Sequence, residues 1–368
     1  MRRLALLLTF STSAFAAGGT EPKDITQGGI QTAFRLLQKE YIRSSDLTFD
    51  VLNRAALSGL LQRLDFGAEL VPRSSEAKSG ALTGVQAELI TPQTGYLRPR
   101  EFTARETKEL EQHLREFAEK KVEHLILDLR SPAPPGDFND AADMLSLFVP
   151  KGEVLFKMKQ IKQTGQTTSE AEINHREPVW TRQMLVLMDD ETNNLGETLA
   201  AVLRQRKQAL LIGTATRGGA VRYETVPVDA EWSLRFARAE VLLTDDSSVF
   251  KKGLQPDFVV SMPTSLKRQV FHATDSQDVK SSITDKPRPR FNEAALVANT
   301  NPELDSYLKR SAGQALPEDA PRPSDTVLQR AVDLITTRAL FQSAKIDWNR
   351  KAATSQEPPA RRAIPVTK

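Results

Sequence analysis

Apolar residues recur at helical spacing near the start of the chain and crowd into short unbroken runs further on. Ile30, Phe34, Leu37 and Tyr41 fall on one face of a helix, and Val51, Leu52, Ala55, Ala56, Leu60 and Leu64 on a second. This predicts two helices over residues 27–66, with Ser44-Ser45-Asp46 as the break and cap between them. Residues 72–84, rich in Ser, Gly, Lys and Pro, read as a loop.

From residue 106 the periods alternate. Glu106–Lys121 is predicted as a helix with Leu110, Leu114 and Phe117 inward. Val122–Arg130 is predicted as a strand buried on both faces, because Leu125-Ile126-Leu127 leaves no polar side. A helix over Asp137–Val149, a strand over Met184–Met188, a helix over Gly196–Arg206 and a strand over Leu210–Gly213 follow. Val221–Val228 and Trp232–Leu243 read as β structure, and Ser324–Phe341 as an amphipathic helix. Strand–helix–strand alternation implies right-handed crossovers and a largely parallel sheet, hence an α/β fold. No internal repeat and no sustained heptad pattern occurs.

The chain has 368 residues, enough for one large core or two domains. Its first segment reads as a secretory signal peptide: Arg2 and Arg3, an apolar run over Leu4–Phe10, and the cleavage motif Ala14-Phe15-Ala16. Cleavage after Ala16 or Ala17 would send the protein to the periplasm or the exterior. No later run is long enough to span a bilayer. The absence of cysteine excludes disulfides, thiol catalysis and thiolate metal sites. The net charge of +3 becomes +1 without Arg2 and Arg3, and no basic stripe interleaved with aromatics points to nucleic acid. His113, His124, His175 and His272 show no metal-ligand spacing, so neither metal nor cofactor is expected.

The run Val186-Leu-Met-Asp-Asp-Glu-Thr-Asn-Asn-Leu-Gly-Glu197, with the strand Ala209–Gly213 and then Thr216-Arg-Gly-Gly-Ala220, resembles the active-site stretch of the C-terminal processing (tail-specific) serine peptidases. Leu37–Tyr41, Gly95-Tyr96-Leu97, Leu127-Asp-Leu-Arg130 and Gly253-Leu-Gln-Pro-Asp257 are similar to further motifs of that family. The resemblance covers residues 28–66 and 95–260, with an echo at 324–335. It implies a crotonase-like spiral α/β core, an N-terminal helical segment and a C-terminal helical extension. The implied order is a signal peptide (1–16), helical segment (17–71), linker (72–94), peptidase-like domain (95–262), linker (263–292), helical extension (293–343) and flexible basic tail (344–368). About 30 residues separate Asp65 from Gly95, too few for the PDZ domain that many family members carry there.

Aligned on Glu197, the family's nucleophilic serine falls on Asn194, and its lysine, 25 residues on, falls on Gly219. An amide is not a usable nucleophile, and glycine has no base. The family's oxyanion turn falls on Ser131–Gly136, where Pro135 lacks an N–H to donate and Gly136 follows it. The nearest cation in sequence, Arg217, stays charged and cannot accept a proton. Thr192, Thr198 and Ser131 offer hydroxyls, but no lysine or histidine accompanies them locally, and Lys207 should point away. Asp189-Asp190-Glu191 reads as a solvated acidic loop able to attract a cation or a basic peptide. The expected function is an exported, non-catalytic family member binding polypeptide or a protein partner through the inherited cleft. The alternatives are an active serine-type peptidase with an unassigned nucleophile and a structural envelope subunit. Oligomeric state is not legible in the sequence.

Overall fold

The computed structural model describes residues 25–73, 84–130, 137–162, 164–192, 194–275, 278–283, 301–313 and 323–343. The expected signal peptide, the Ser131–Gly136 turn and the basic tail lie outside them. The chain divides into two compact units, residues 1–69 and 70–368.

The first unit carries α1 (Gln27–Glu40) and α2 (Phe49–Leu64), the two expected helices. The cap differs from expectation. Ser44–Asp46 forms a short 3₁₀ turn, and the side chain of Thr48 accepts from the N–H of Val51 to start α2. Threonine's hydroxyl meets a first-turn donor that has no partner within the helix. Strand β1 (Ala68–Pro72) spans the junction of the units.

The second unit is built on a six-stranded sheet in the order β11–β8–β7–β4–β3–β2. Its strands are β2 (Val85–Thr91), β3 (Thr94–Pro99), β4 (His124–Asp128), β7 (Met184–Met188), β8 (Ala209–Gly213) and β11 (Phe258–Val259). All neighbours are parallel except the β2–β3 hairpin. Residues 85–91, inside the expected linker, are thus a strand. Among the described residues between Asp65 and Gly95 there is no sandwich.

Helices α3 (Ala104–Glu119), α4 (Phe138–Leu145) and α5 (Leu195–Gln205) follow β3, β4 and β7. Their apolar faces join Leu125, Leu127, Val186 and Leu211 in one core. Ile126, Leu185, Leu187 and Ile212 face the other way, into a second core shared with Val279, Val327, Leu328 and Ala331. Adjacent strand residues point to opposite faces, and both faces are covered, so these strands read as unbroken apolar runs. The covering on the second side includes α8 (Thr326–Ser343), placed at the expected amphipathic helix.

A second sheet holds β5 (Val154–Ile161), β6 (Thr167–Ile173), β9 (Val221–Pro227) and β10 (Trp232–Leu242). Strand β10 pairs antiparallel with β5 and β9, and β5 with β6. Helix α6 (Thr264–Thr274) and a 3₁₀ turn (Val279–Ser282) occupy the expected 263–292 linker, and α7 (Pro302–Ser311) lies in the C-terminal extension. No helix of the described residues is long and apolar enough to cross a membrane.

Candidate functional site

In open parallel sheets the loops leaving the carboxyl ends of the strands build the ligand site. Here β4 leads into Leu129 and Arg130, β7 into the Asp189–Asn194 loop, and β8 into Thr214–Ala220. These loops carry the residues singled out in the sequence.

Asn194 is the N-cap of α5, with φ 52° and ψ −107°, a conformation disfavoured for any residue with a Cβ. Asparagine usually caps a helix through its side chain. Here the carboxamide makes no capping hydrogen bond, and its Oδ1 is buried without a partner. The helix is secured through the backbone instead: Thr198 donates to the Asn194 carbonyl by its N–H at 3.0 Å and by its hydroxyl at 2.9 Å.

Glu197, one turn into α5, is fully buried. Its Oε1 accepts from the N–H of Gly218 at 2.7 Å and from the hydroxyl of Thr216. Burial pushes its carboxyl above the usual range, while Thr216 and the N–H groups of Gly218, Gly219 and Ala220 pull the other way. The Thr216 hydroxyl also accepts from Leu254 N at 2.8 Å. Gly218 takes a positive φ of 83°, and a Cβ there would meet the backbone nitrogen of Gly253 at 2.7 Å. Glu197 therefore ties the start of α5 to the loop carrying the buried Gly219. The structure thus brings Asn194's helix start and Gly219's loop to one edge of the sheet. Pro135 and Gly136 lie outside the described residues, as does Ser131.

The two described hydroxyl candidates have structural work. Thr192 is fully buried; it donates to the Leu129 carbonyl at 2.7 Å and accepts from Asp189 N at 3.1 Å. Thr198, also fully buried, is held on the Asn194 carbonyl. Lys207 is exposed beyond the far end of α5, and Arg217 is exposed.

One expectation is changed here. The acidic loop is not merely solvated: a lysine reaches it from far away in sequence. Lys267 of α6, 78 positions from Asp189 in sequence and 2% exposed, donates to Asp189 Oδ2 at 2.5 Å. It also meets Glu191 Oε2 at 2.6 Å and the Arg130 carbonyl at 3.1 Å. An ammonium has three donors, and all three are engaged. A lysine on an amphipathic helix carries no sequence sign of burial, so only the fold reveals it.

Behind the loops, Arg130 is almost fully buried between Asp128 and Asp325, with Nη2 at 2.6 Å from the first and 2.7 Å from the second. Tyr96 donates its hydroxyl to Asp128 at 2.8 Å.

The carboxyl edge of the largely parallel sheet thus carries a strained helix-start residue and a glycine loop pinned by Glu197. Residues 93–260 match the model of peptidase family S41, and C-terminal processing proteases are among the relatives that resemble this chain over about half its length. The carboxyl-terminal-processing protease of Synechocystis sp. is 25% identical over 183 residues, which are 50% of this chain and 42% of that protein. The carboxy-terminal processing protease CtpA of Bacillus subtilis is 27% identical over 183 residues, 50% of this chain and 38% of that protein. The matched segment is thus well under half of these curated relatives. Among solved structures, the photosystem II D1 C-terminal processing protease superposes on 55% of this chain and 50% of that one, at 20% identity and a TM-score of 0.39.

Proposed function

We propose that this chain is an exported, non-catalytic member of its family that binds polypeptide at the carboxyl edge of β4, β7 and β8. In this reading Asn194 and Gly219 occupy the places of the family's nucleophile and lysine. The observation that carries it is the Asn194 carboxamide: strained in backbone, unused as a cap, and with a buried Oδ1 lacking a donor. A buried acceptor left unpaired costs on the order of 1–3 kcal/mol. The backbone N–H of a bound extended peptide is the donor that would remove this cost. Turnover is disfavoured because the Thr192 and Thr198 hydroxyls are each committed to a backbone carbonyl, and the Lys267 ammonium is fully engaged.

The test uses fluorescein-labelled β-casein with the mature wild-type chain. Saturable binding by anisotropy, with an unchanged casein band after prolonged incubation, is expected. Asn194→Ala should weaken binding roughly fivefold to tenfold, about 1 kcal/mol, the worth of one hydrogen bond. Casein cleavage that Thr192→Val abolishes would overturn the non-catalytic reading. Absence of binding at any concentration would overturn the polypeptide reading.

A further inference from the structure

The cluster around Lys267, invoked above only because its pairing keeps the lysine from serving as a base, also touches both loops that frame the proposed cleft. Its Nζ donates at 3.1 Å to the carbonyl of Arg130, two residues past the end of β4. The same atom pairs with Asp189 Oδ2 at 2.5 Å and Glu191 Oε2 at 2.6 Å, on the loop that ends at Asn194. Asp189 passes this hold onward: its Oδ1 accepts from Glu191 N at 3.0 Å and Thr192 N at 3.2 Å. Thr192 in turn grips Leu129. The other end of Arg130 is fixed by Asp128 and Asp325.

We propose that Lys267 is a positioning residue for the polypeptide site, clasping the β4 exit and the β7–α5 loop together from α6. The inference rests on the binding function proposed above. Burial makes the clasp stiff. A cation 3% exposed that is shared among three acceptors is screened little by salt, and it holds each acceptor at hydrogen-bond distance. The neighbouring residue is an internal contrast. Arg268 also pairs with Glu191, at 2.7 Å, but its side chain is 72% exposed, and this contact reaches the β7–α5 loop alone. The charged groups at the ammonium are Asp189 and Glu191; Arg268 pairs with Glu191, and the charges of Arg130 and Asp128 act on Asp189.

The experiment compares Lys267→Met, the triple variant Asp189→Asn/Glu191→Gln/Lys267→Met, and Arg268→Ala in the full mature chain. The triple variant leaves no buried charge of this cluster unpaired, so it keeps the test valid if the single variant does not fold. Labelled β-casein affinity and backbone amide exchange are both read. The clasp predicts that the lysine variants lose affinity at least tenfold and exchange faster in segments 126–130 and 186–195, while β5 and β6 are unchanged. Arg268→Ala should stay within twofold of wild type. A folded triple variant with wild-type affinity and wild-type exchange in both segments overturns the proposal. So does a uniform rise in exchange across the whole unit, which marks a merely structural lysine. If the wild type does not bind casein, the function proposed above fails, and the exchange pattern alone decides the clasp.

Discussion

The guanidinium of Arg130 makes two hydrogen bonds, of 3.0 and 2.7 Å, to the carboxylate of Asp325, although the two residues are 195 positions apart. Asp325 also accepts from Val327 N at 3.1 Å and Leu328 N at 2.9 Å, which starts α8. One carboxylate therefore both caps the C-terminal helix and completes the charge balance beneath the site.

Asp325→Ala should remove a helix cap and half of Arg130's compensation together. Breaking a buried pair costs about 3–5 kcal/mol; because Asp128 remains, a loss near the lower end, about 3 kcal/mol, is expected in urea unfolding. Asp325→Asn keeps a neutral capping acceptor and should cost less. Equal losses in the two variants would show that the charge contributes nothing.

Thr192→Val should destabilise without touching any reaction. It leaves the Leu129 carbonyl and the Asp189 N–H buried without this hydroxyl. At about 1–3 kcal/mol for each unpaired group, a loss of about 2–6 kcal/mol is expected by chemical denaturation. A change below about 0.5 kcal/mol would mean that the loop relaxes and re-pairs both groups.

Two glycines separate strain from collision. A Cβ on Gly152 meets nothing within 4 Å, though its φ is +84°. On Gly218 it would lie 2.8 Å from Lys251 N and 2.8 Å from Val249 O, at φ +83°. Gly152→Ala should cost about 1 kcal/mol, and Gly218→Ala on the order of 3 kcal/mol, with weakened casein binding as the Glu197 loop shifts. Matching melting temperatures for the pair would contradict the packing around Gly218.

Stability should depend on pH through two carboxyls of opposite sign. Burial pushes Glu106 up from 4.5 to about 7, against the N–H of Gly84 at 2.6 Å and of Glu101 at 2.5 Å. Between those pH values the native state holds a proton that the unfolded chain has released, so this contribution falls as pH rises from about 4.5 to about 7. At about 1.4 kcal/mol per unit it reaches at most about 3 kcal/mol. Glu106→Gln should flatten that slope in denaturation series at several pH values; an unchanged slope would sink the assignment. Asp128 works the other way. Burial raises its carboxyl, but Arg130 beside it holds the net value below the usual range. Its contribution is present above that range and is lost on acidification.

The elements β7, α5 and β8 were legible almost to the residue, because buried parallel strands show as unbroken apolar runs and α5 carries a clear helical stripe. The motif singled out Asn194 and Gly219, and the fold sets them on loops joined through Glu197. Strands β5 and β6 were not legible. Lys157 and Lys159 occupy one face of β5 and Gln160 interrupts the other, and Thr167–Ile173 is mostly exposed, so neither offers a strong apolar run. The buried ion pairs were also hidden, since Lys267 and Asp325 act through charge on residues far away in sequence. Periodicity reports which face is apolar; it does not report which ion finds which partner.

The backbone at Asn194 narrows what position 194 can become. At φ 52° and ψ −107° a β-branched or bulky side chain would collide with its own main chain. Small or polar residues, with glycine first, are the ones that bear such a shape at modest cost. Sequence drift at this point is therefore channelled by geometry before chemistry is consulted. A lineage can exchange one short polar group for another here while the loop keeps its contour.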